Sequence, residues 1–454
     1  MRDRVVVIGD PESVFVQTPV RFWRDLGVDA VILTARWRGP ATVDGDLPVV
    51  TAESLAPAWL TAAAHGLYPF VDAINASSLA QHPGRVRAAL HSWAQSAVPP
   101  SLAPPVFDAL LIAAAADALH PACVFGHEAF AYGLATSLSA APRKALMAWG
   151  ADVLHYAPMT DLAFAMVRQA LNGVHYVLTN TAPMEDALHE RFAVPRRNIA
   201  RISYGVDRRS FHRAAGHRAE QVRAKYKIAA HARVIMNLRR FLPHWGSAVA
   251  WPAMVAIAQQ RADTHLVLLG GPASDDGIDQ AALDARALGL DGRVTMIRGT
   301  ASMDTVAELM SVADVSLSLV DTLEPVSWSV QQAVACGNAV VVADQASYAL
   351  ECERGLAVHR VPPSSVADTI AAIAALIDDP ARSACMATAN DHYVTEHHDR
   401  HRQLIRLLRI VAGAEGAERL LRAGAGAGAG RARAMDHSPN RSTSLEGALS
   451  AQAT

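Results

Sequence analysis

The chain has 454 residues, of which 51% are hydrophobic and 19% charged, with a net charge of −2 at neutral pH. That length exceeds what one ordinary core organises, so two domains plus extensions are expected. The near-neutral balance removes any electrostatic case for nucleic acid or an anionic membrane as a partner. Cys123, Cys336, Cys352 and Cys385 are scattered without CxxC spacing, which reads as buried thiols in a reducing compartment rather than a disulfide framework. The opening "MRDRVVVIGD" enters a short strand directly, without the apolar segment of a signal peptide. No apolar run approaches the roughly 18 residues of a membrane span, so a cytoplasmic protein with no integral membrane segment is expected.

In chain order, the candidate strands of the first half are "RVVVIG" (4–9), "DAVILTA" (29–35), "ACVFG" (122–126), "KALMAW" (144–149), "HYVLTN" (175–180) and "IARIS" (199–203). The second half offers "RVIMNL" (233–238), "HLVLLGG" (265–271), "RVTMIRG" (293–299), "VSLSLV" (315–320), "NAVVVAD" (338–344) and "LAVHRV" (356–361). Segments of helical spacing, such as "VQTPVRFWRDLG" and "MTDLAFAMVRQALNG", lie between most of them. Alternation of this kind predicts parallel sheets with crossover helices. Two sets of six strands, parted by a charged helical passage near 206–230, predict two doubly wound domains facing across a cleft. The boundaries drawn are 1–205, 206–390, a C-terminal helix at 391–413 that packs back on the first domain, and a tail at 414–454. "HHDRHRQLIRLLRIVAG" (397–413) is basic and amphipathic, and its charges, with the histidines of "TEHHDRH" (395–401), read as a solvated helix face. The Ala/Gly-rich and then polar tail cannot offset its ordering entropy and is expected to be disordered.

Chemistry concentrates in "EPVSWSVQQAVACGNAVVVAD" (324–344), which follows "ADVSLSLV" and so begins at the carboxyl end of a parallel strand. The backbone N–H groups of Val326, Ser327, Trp328 and Ser329 would form a helix N-terminus, which with its dipole favours an anion such as a diphosphate. Glu324 beside that anion is electrostatically awkward unless it bonds neutral hydroxyls. A sugar carried on a nucleotide satisfies both demands.

Five segments in order resemble the retaining GT-B glycosyltransferases of family four (glycosyl transferases group 1), across roughly residues 1–410. The family has a glutamate, seven residues, a second glutamate and then Ala-Met-Ala-x-Gly-x-Pro-Val; here stand Glu324, Gln332 and "AVACGNAVV". "ISYGVDRRSF" is similar to its Ile-Pro-Asn-Gly-Val-Asp junction at Gly205, Val206 and Asp207. "AWGADVL" resembles its Trp-Gly-Ser-Asp-Val-Leu, while "HLVLLGG" and "GLDGRVTMIRG" resemble its two strand-end glycine segments, placing Gly270 and Ile297 on the donor side.

The resemblance implies that Glu324 holds hydroxyls of the transferred sugar and that Gln332 meets the ribose with a neutral amide in place of a carboxylate. It also implies that Arg239 of "MNLRRFLPHWG", with Arg240 the competing assignment, neutralises the diphosphate. The family lysine just before a glycine is replaced by His244-Trp245-Gly246, so Arg239, Arg240 or His244 must carry more of the phosphate charge. On the first domain, Gly9 and Ser13 of "IGDPESVFVQ" occupy the donor-facing loop, Ser13 as a helix N-cap. His127 of "VFGHEAFAYG" and Asp152 after Trp-Gly are candidates to orient the acceptor hydroxyl or the sugar. The implied chemistry is front-face transfer to a hydroxyl acceptor, with no cofactor and no obligatory metal. A sugar-nucleotide epimerase of the same fold, or a catalytically degenerate partner subunit that binds nucleotide sugar, are the alternatives. "DGD" (44–46) matches a metal motif formally but lies in a Pro/Gly-flanked loop and is set aside, as is "GGPASDDG" (270–277), which lacks G-x-G-x-x-G.

Overall fold

The computed structural model describes residues 3–35, 37–43, 46–55, 103–271, 274–320 and 327–436. Its first sheet is built from β1 (Arg4–Ile8), β2 (Asp29–Thr34), β3 (Thr42–Val43), β4 (Leu47–Thr51), β5 (Cys123–His127), β6 (Lys144–Met147), β7 (Tyr176–Thr179) and β8 (Ile199–Arg201). The order is β3-β4-β2-β1-β5-β6-β7-β8, parallel throughout except for β3. Helices α1 (Val14–Asp25), α2 (Ala52–Leu55), α3 (Ala103–Ala118), α4 (Ala131–Leu138), α5 (Asp161–Asn172) and α6 (Ala182–Phe192) make the connections among the described residues. Strand β1 shows why its sequence is a continuous apolar run: helices cover both faces of a parallel sheet. Val5 and Val7 pack on one side with Trp23 and Phe125, and Val6 and Ile8 on the other with Ile112 and Leu134. All six expected strands appear, and the sequence reading missed β3 and β4. β4 carries Pro48 and β3 has two residues, so neither shows a strand period.

The second lobe runs α7 (Gly216–Lys225), β9 (Arg233–Arg240), α8 (Ser247–Gln260), β10 (Thr264–Leu269), α9 (Asp275–Ala287), β11 (Val294–Ile297), α10 (Met303–Val312) and β12 (Val315–Ser318). It continues with α11 (Trp328–Ala335), β13 (Ala339–Ala343), α12 (Ala346–Glu353), β14 (His359–Val361), α13 (Val366–Asp378) and α14 (Pro380–His397). The six parallel strands take the order β11-β10-β9-β12-β13-β14. That is the doubly wound order of a dinucleotide-binding sheet, whose first strand sits beside the fourth.

The chain crosses between lobes twice, side by side. Residues 203–206 lead out of the first lobe, and 398–400 lead back. Val206 N–H donates to His398 O at 2.7 Å, and Val206 forms a parallel bridge with Asp399. Gly205, at φ +65°, makes this approach feasible: a Cβ there would lie 2.5 Å from Arg400 Cα. Beyond the return, α15 (Arg400–Ala412) buries Leu404, Leu407, Leu408 and Val411 against Val5, Val7, Phe125 and Met147 of the first lobe. That i, i+3, i+4, i+7 stripe leaves Arg402, Arg406 and Arg409 exposed.

Order does not end at residue 413, contrary to expectation. A further helix, α16 (Ala414–Asp436), buries Ala417 and Leu420 in the same core. Its glycines, which read as a source of disorder, let two backbones touch: a Cβ on Gly27 would come within 2.6 Å of Gly424 O. Residues 437–454 of the expected tail lie outside the described residues. Among the described residues no helix is long and apolar enough to cross a membrane.

Candidate active site between the lobes

In the second sheet the chain leaves β9 towards β10 on one side and reaches β12 on the other. The crevice at their carboxyl ends is a topological switch point, the place where open α/β sheets take ligands. Two helix N-termini converge on it. The turn Pro243–Trp245 feeds α8 through Gly246 at φ +88°, where a Cβ would lie 2.5 Å from Leu319 O. Glycine therefore lets the start of α8 come against the end of β12. The other is α11, entered behind its N-cap Ser327.

Arg239, at the end of β9, joins the two. Its Nη1 donates to Ser327 Oγ at 2.8 Å, and that oxygen also accepts from Ser329 N–H at 3.3 Å. The guanidinium carbon of Arg239 lies 4.0 Å from the Trp245 ring centroid, and that of Arg240 5.1 Å. Thus the position just before Gly246, where a lysine was expected, holds an indole with two cations over its ring. Arg240 is exposed and has no acidic partner among the described residues, and Gly271 leaves room for its stem. Two arginines and two helix mouths make this the positive side of the crevice.

Gln332 lies one turn into α11, buried, and its Nε2 has no hydrogen-bond partner. Asn237, which the sequence reading missed, is buried just below, with Nδ2 donating to Arg239 O at 2.9 Å and Oδ1 unpartnered. Unsatisfied polar atoms at such depth are costly unless something fills them. Gly270 N–H donates to Ile297 O at 2.7 Å, so those two residues lock the ends of β10 and β11 to each other, on the far side of β9 from Ser327. Glu324 and Val326 lie outside the described residues, and so does the side chain of His244.

The first lobe presents its own switch point, between β1 and β5. Gly9 ends β1, and a Cβ there would meet Val16 Cγ2 at 2.6 Å and His127 Cβ at 3.3 Å. Ser13 occupies the N-cap of α1 without a side-chain cap; its carbonyl accepts instead from Val16 and Gln17 N–H. Phe15 on that helix reaches Trp149 at 4.6 Å and, across the cleft, Trp328 at 5.4 Å between ring centroids. Trp328 Nε1 donates to Gly205 O at 2.8 Å, so its indole bridges α11, the crossover and the first lobe.

His127 is buried beside Phe125, Trp149 and Tyr204, and burial lowers its pKa to about 3, so it stands neutral. Nε2 shares a 3.2 Å bond with Tyr204 Oη, while Nδ1 has no partner. Asp152 is placed otherwise than expected. Its buried carboxylate accepts from the amides of Ala129 (2.7 Å), Gly150 (2.9 Å), Val153 (3.0 Å) and Trp149 (3.1 Å). Three of these amides meet Oδ1 and one meets Oδ2, so the carboxylate fixes two loops to each other.

The neighbour of His127 went unremarked in the sequence. Glu128 ends β5 with φ +76°, a conformation a glutamate adopts only when its surroundings impose it. Burial and the nearby Asp152 raise its pKa to about 7, and among the described residues no hydrogen bond or ion pair engages its carboxyl. Only its place at the strand end, directly after His127, could have drawn attention to it.

Residues 218–392 match the family model of glycosyl transferases group 1. Solved structures extend the likeness to both lobes. A sucrose-phosphate synthase from Thermosynechococcus elongatus superposes with a TM-score of 0.61 at 16% identity, covering 89% of this chain and 97% of its own. A UDP-forming alpha,alpha-trehalose-phosphate synthase from Burkholderia xenovorans gives 0.62 at 11% identity, over 90% and 99%. HepE of Anabaena, solved in complex with UDP-glucose, gives 0.57 at 15%, over 92% and 99%. These likenesses establish the GT-B fold. No curated protein matches the sequence.

Proposed function

We propose that the chain transfers a glycosyl group from a nucleotide-diphosphate sugar to a hydroxyl acceptor, with retention at the anomeric carbon. One observation carries the reading: the Arg239 guanidinium bonds the N-cap of α11 at a switch point flanked by a second helix mouth. That is a diphosphate site by its own chemistry. The group 1 match over 218–392 and the UDP-glucose bound to the Anabaena relative support a nucleotide-sugar donor.

In this reading the unpartnered amide of Gln332 meets the ribose hydroxyls, and Glu324 holds hydroxyls of the sugar. The acceptor lies against the first lobe near Gly9, where Glu128 orients its hydroxyl. The acceptor oxygen bonds the anomeric carbon as the bond to the leaving phosphate oxygen breaks. The acceptor proton passes to that phosphate, whose growing charge Arg239, Arg240 and the helix mouths stabilise.

The test is a panel of nucleotide sugars scored for thermal stabilisation, followed by turnover with hydroxyl acceptors and proton NMR of the product's anomeric centre. A stabilising donor that gives an α-linked product from an α-linked donor is expected, with turnover lost in Glu324→Ala. Inversion would refute retention. Binding without transfer to any acceptor would favour the partner-subunit reading, and turnover without an acceptor would favour the epimerase.

A further inference from the structure

We propose that Ser203, His398, Tyr393 and Glu351 form a buried positioning relay that sets helix α11 against the interlobe crossover. The inference rests on the reading of α11 as the donor helix.

The histidines of "TEHHDRH" were expected on a solvated face, yet His398 is only 5% exposed and bonded at both ring nitrogens. Nδ1 lies 2.9 Å from Ser203 Oγ and Nε2 2.8 Å from Tyr393 Oη. Tyr393 Oη donates to Glu351 Oε2 at 2.7 Å, and Arg354 Nη1 holds both oxygens of that carboxylate at 2.7 and 2.9 Å.

The proton directions follow from the far end. A carboxylate only accepts, so Tyr393 spends its proton on Glu351 and receives the Nε2–H of His398. Nδ1 of the neutral ring is then an acceptor, and burial keeps the ring neutral, with a pKa of about 4. Ser203 Oγ already accepts Gly205 N–H at 3.0 Å and has one proton to give. That single proton is shared in a three-centre bond between His398 Nδ1 and Gln331 Oε1, which lies 3.2 Å away, so the hold on Gln331 depends on the state of His398.

Gln331 is the contact with α11. Together with Trp328, one turn earlier and bonded to Gly205 O, it pins one face of that helix to residues 203–205. The next residue is Gln332, and Ser327 with its Arg239 contact caps the same two turns. A small shift of α11 therefore displaces each donor-side group at once. The four relay residues touch none of the expected ligand atoms; they act through Gln331.

Two variants test this in the full chain. Ser203→Ala removes the link itself, and Tyr393→Phe removes a hydroxyl two bonds away while keeping the ring in the core it shares with Val330 and Val334 of α11. Hydrogen exchange of the amides in 330–335, measured without nucleotide, should quicken about tenfold in both. The donor KM should rise about fivefold with kcat changed less than twofold, and Ser203→Thr should restore both. Unchanged exchange in Tyr393→Phe overturns the relay, and quickened exchange with an unchanged KM overturns its positioning role. If the wild-type protein binds no nucleotide diphosphate, the donor reading falls separately, and exchange alone decides whether the relay holds the helix.

Discussion

Arg239→Ala is the sharpest probe of the donor site. The side chain has two anchors, the Ser327 hydroxyl at 2.8 Å and the Trp245 ring at 4.0 Å. It is therefore held still, and little reorganisation is needed when charge grows on a leaving diphosphate. Two unit charges about 4 Å apart at an effective permittivity near 20 interact by about 4 kcal/mol. Removing one preorganised donor from such a site costs about 10²- to 10³-fold in kcat. Arg239→Ala should accordingly lower kcat/KM by at least about 100-fold. Arg239→Lys, which keeps the charge but loses the planar stack and the fork, should fall between. Steady-state kinetics with a saturating acceptor measure both. An alanine variant within about threefold of wild type, with its thermal midpoint intact, would remove Arg239 from the chemistry and leave Arg240 as the cation of the switch point.

Three further outcomes are expected. The Glu128 carboxyl holds its proton to about pH 7 against 4.5 when free, so the unfolded chain sheds it first and stability falls as pH rises through that window. Glu128→Gln should therefore gain about 3 kcal/mol on the wild type at pH 8 and nothing at pH 4, read as urea midpoints, while losing activity; equal gains at both pH values would refute it. For His398 the sign reverses: its pKa is lowered from 6.5 to about 4, so the unfolded state takes up the proton first as pH falls. Between pH 7.5 and 5 the wild type should lose about 2 kcal/mol more than His398→Gln, and parallel losses would refute the buried neutral ring. Gly205→Ala adds left-handed strain of about 1–2 kcal/mol and a Cβ 2.5 Å from Arg400 Cα. It should destabilise by about 3 kcal/mol or more in total, and an unchanged urea midpoint would show that the crossings have slack.

The strand alternation was legible because both faces of each parallel sheet are covered, so β1 or β13 reads as an unbroken apolar run. The motif around Ser327 was legible because a helix mouth at a strand end has a composition of its own. Asp152 shows the limit. A conspicuous carboxylate after Trp-Gly serves four amides brought together by the fold, and no local pattern distinguishes that from an acceptor ligand. Glu128 shows the converse, since its significance lies in a backbone angle and in the absence of a partner for its carboxyl among the described residues. Trp245 stands where the family resemblance implied a lysine, and no local pattern shows that Arg239 and Arg240 lie over its ring. The helix at 414–436 was misread because glycine was weighed as lost order, whereas at Gly424 it is the condition for contact with Gly27.

The paired crossings at Val206 and His398 make the two lobes unequal in how they are completed. Everything in the second lobe lies between those crossings, so its sheet can close as soon as that stretch has been synthesised. The first lobe begins the chain yet lacks Leu404, Leu407 and Leu408 until the last helices arrive. During synthesis α1 can cover one part of the face around Val5 and Phe125, but the part under α15 stays open until residues 404–411 have emerged.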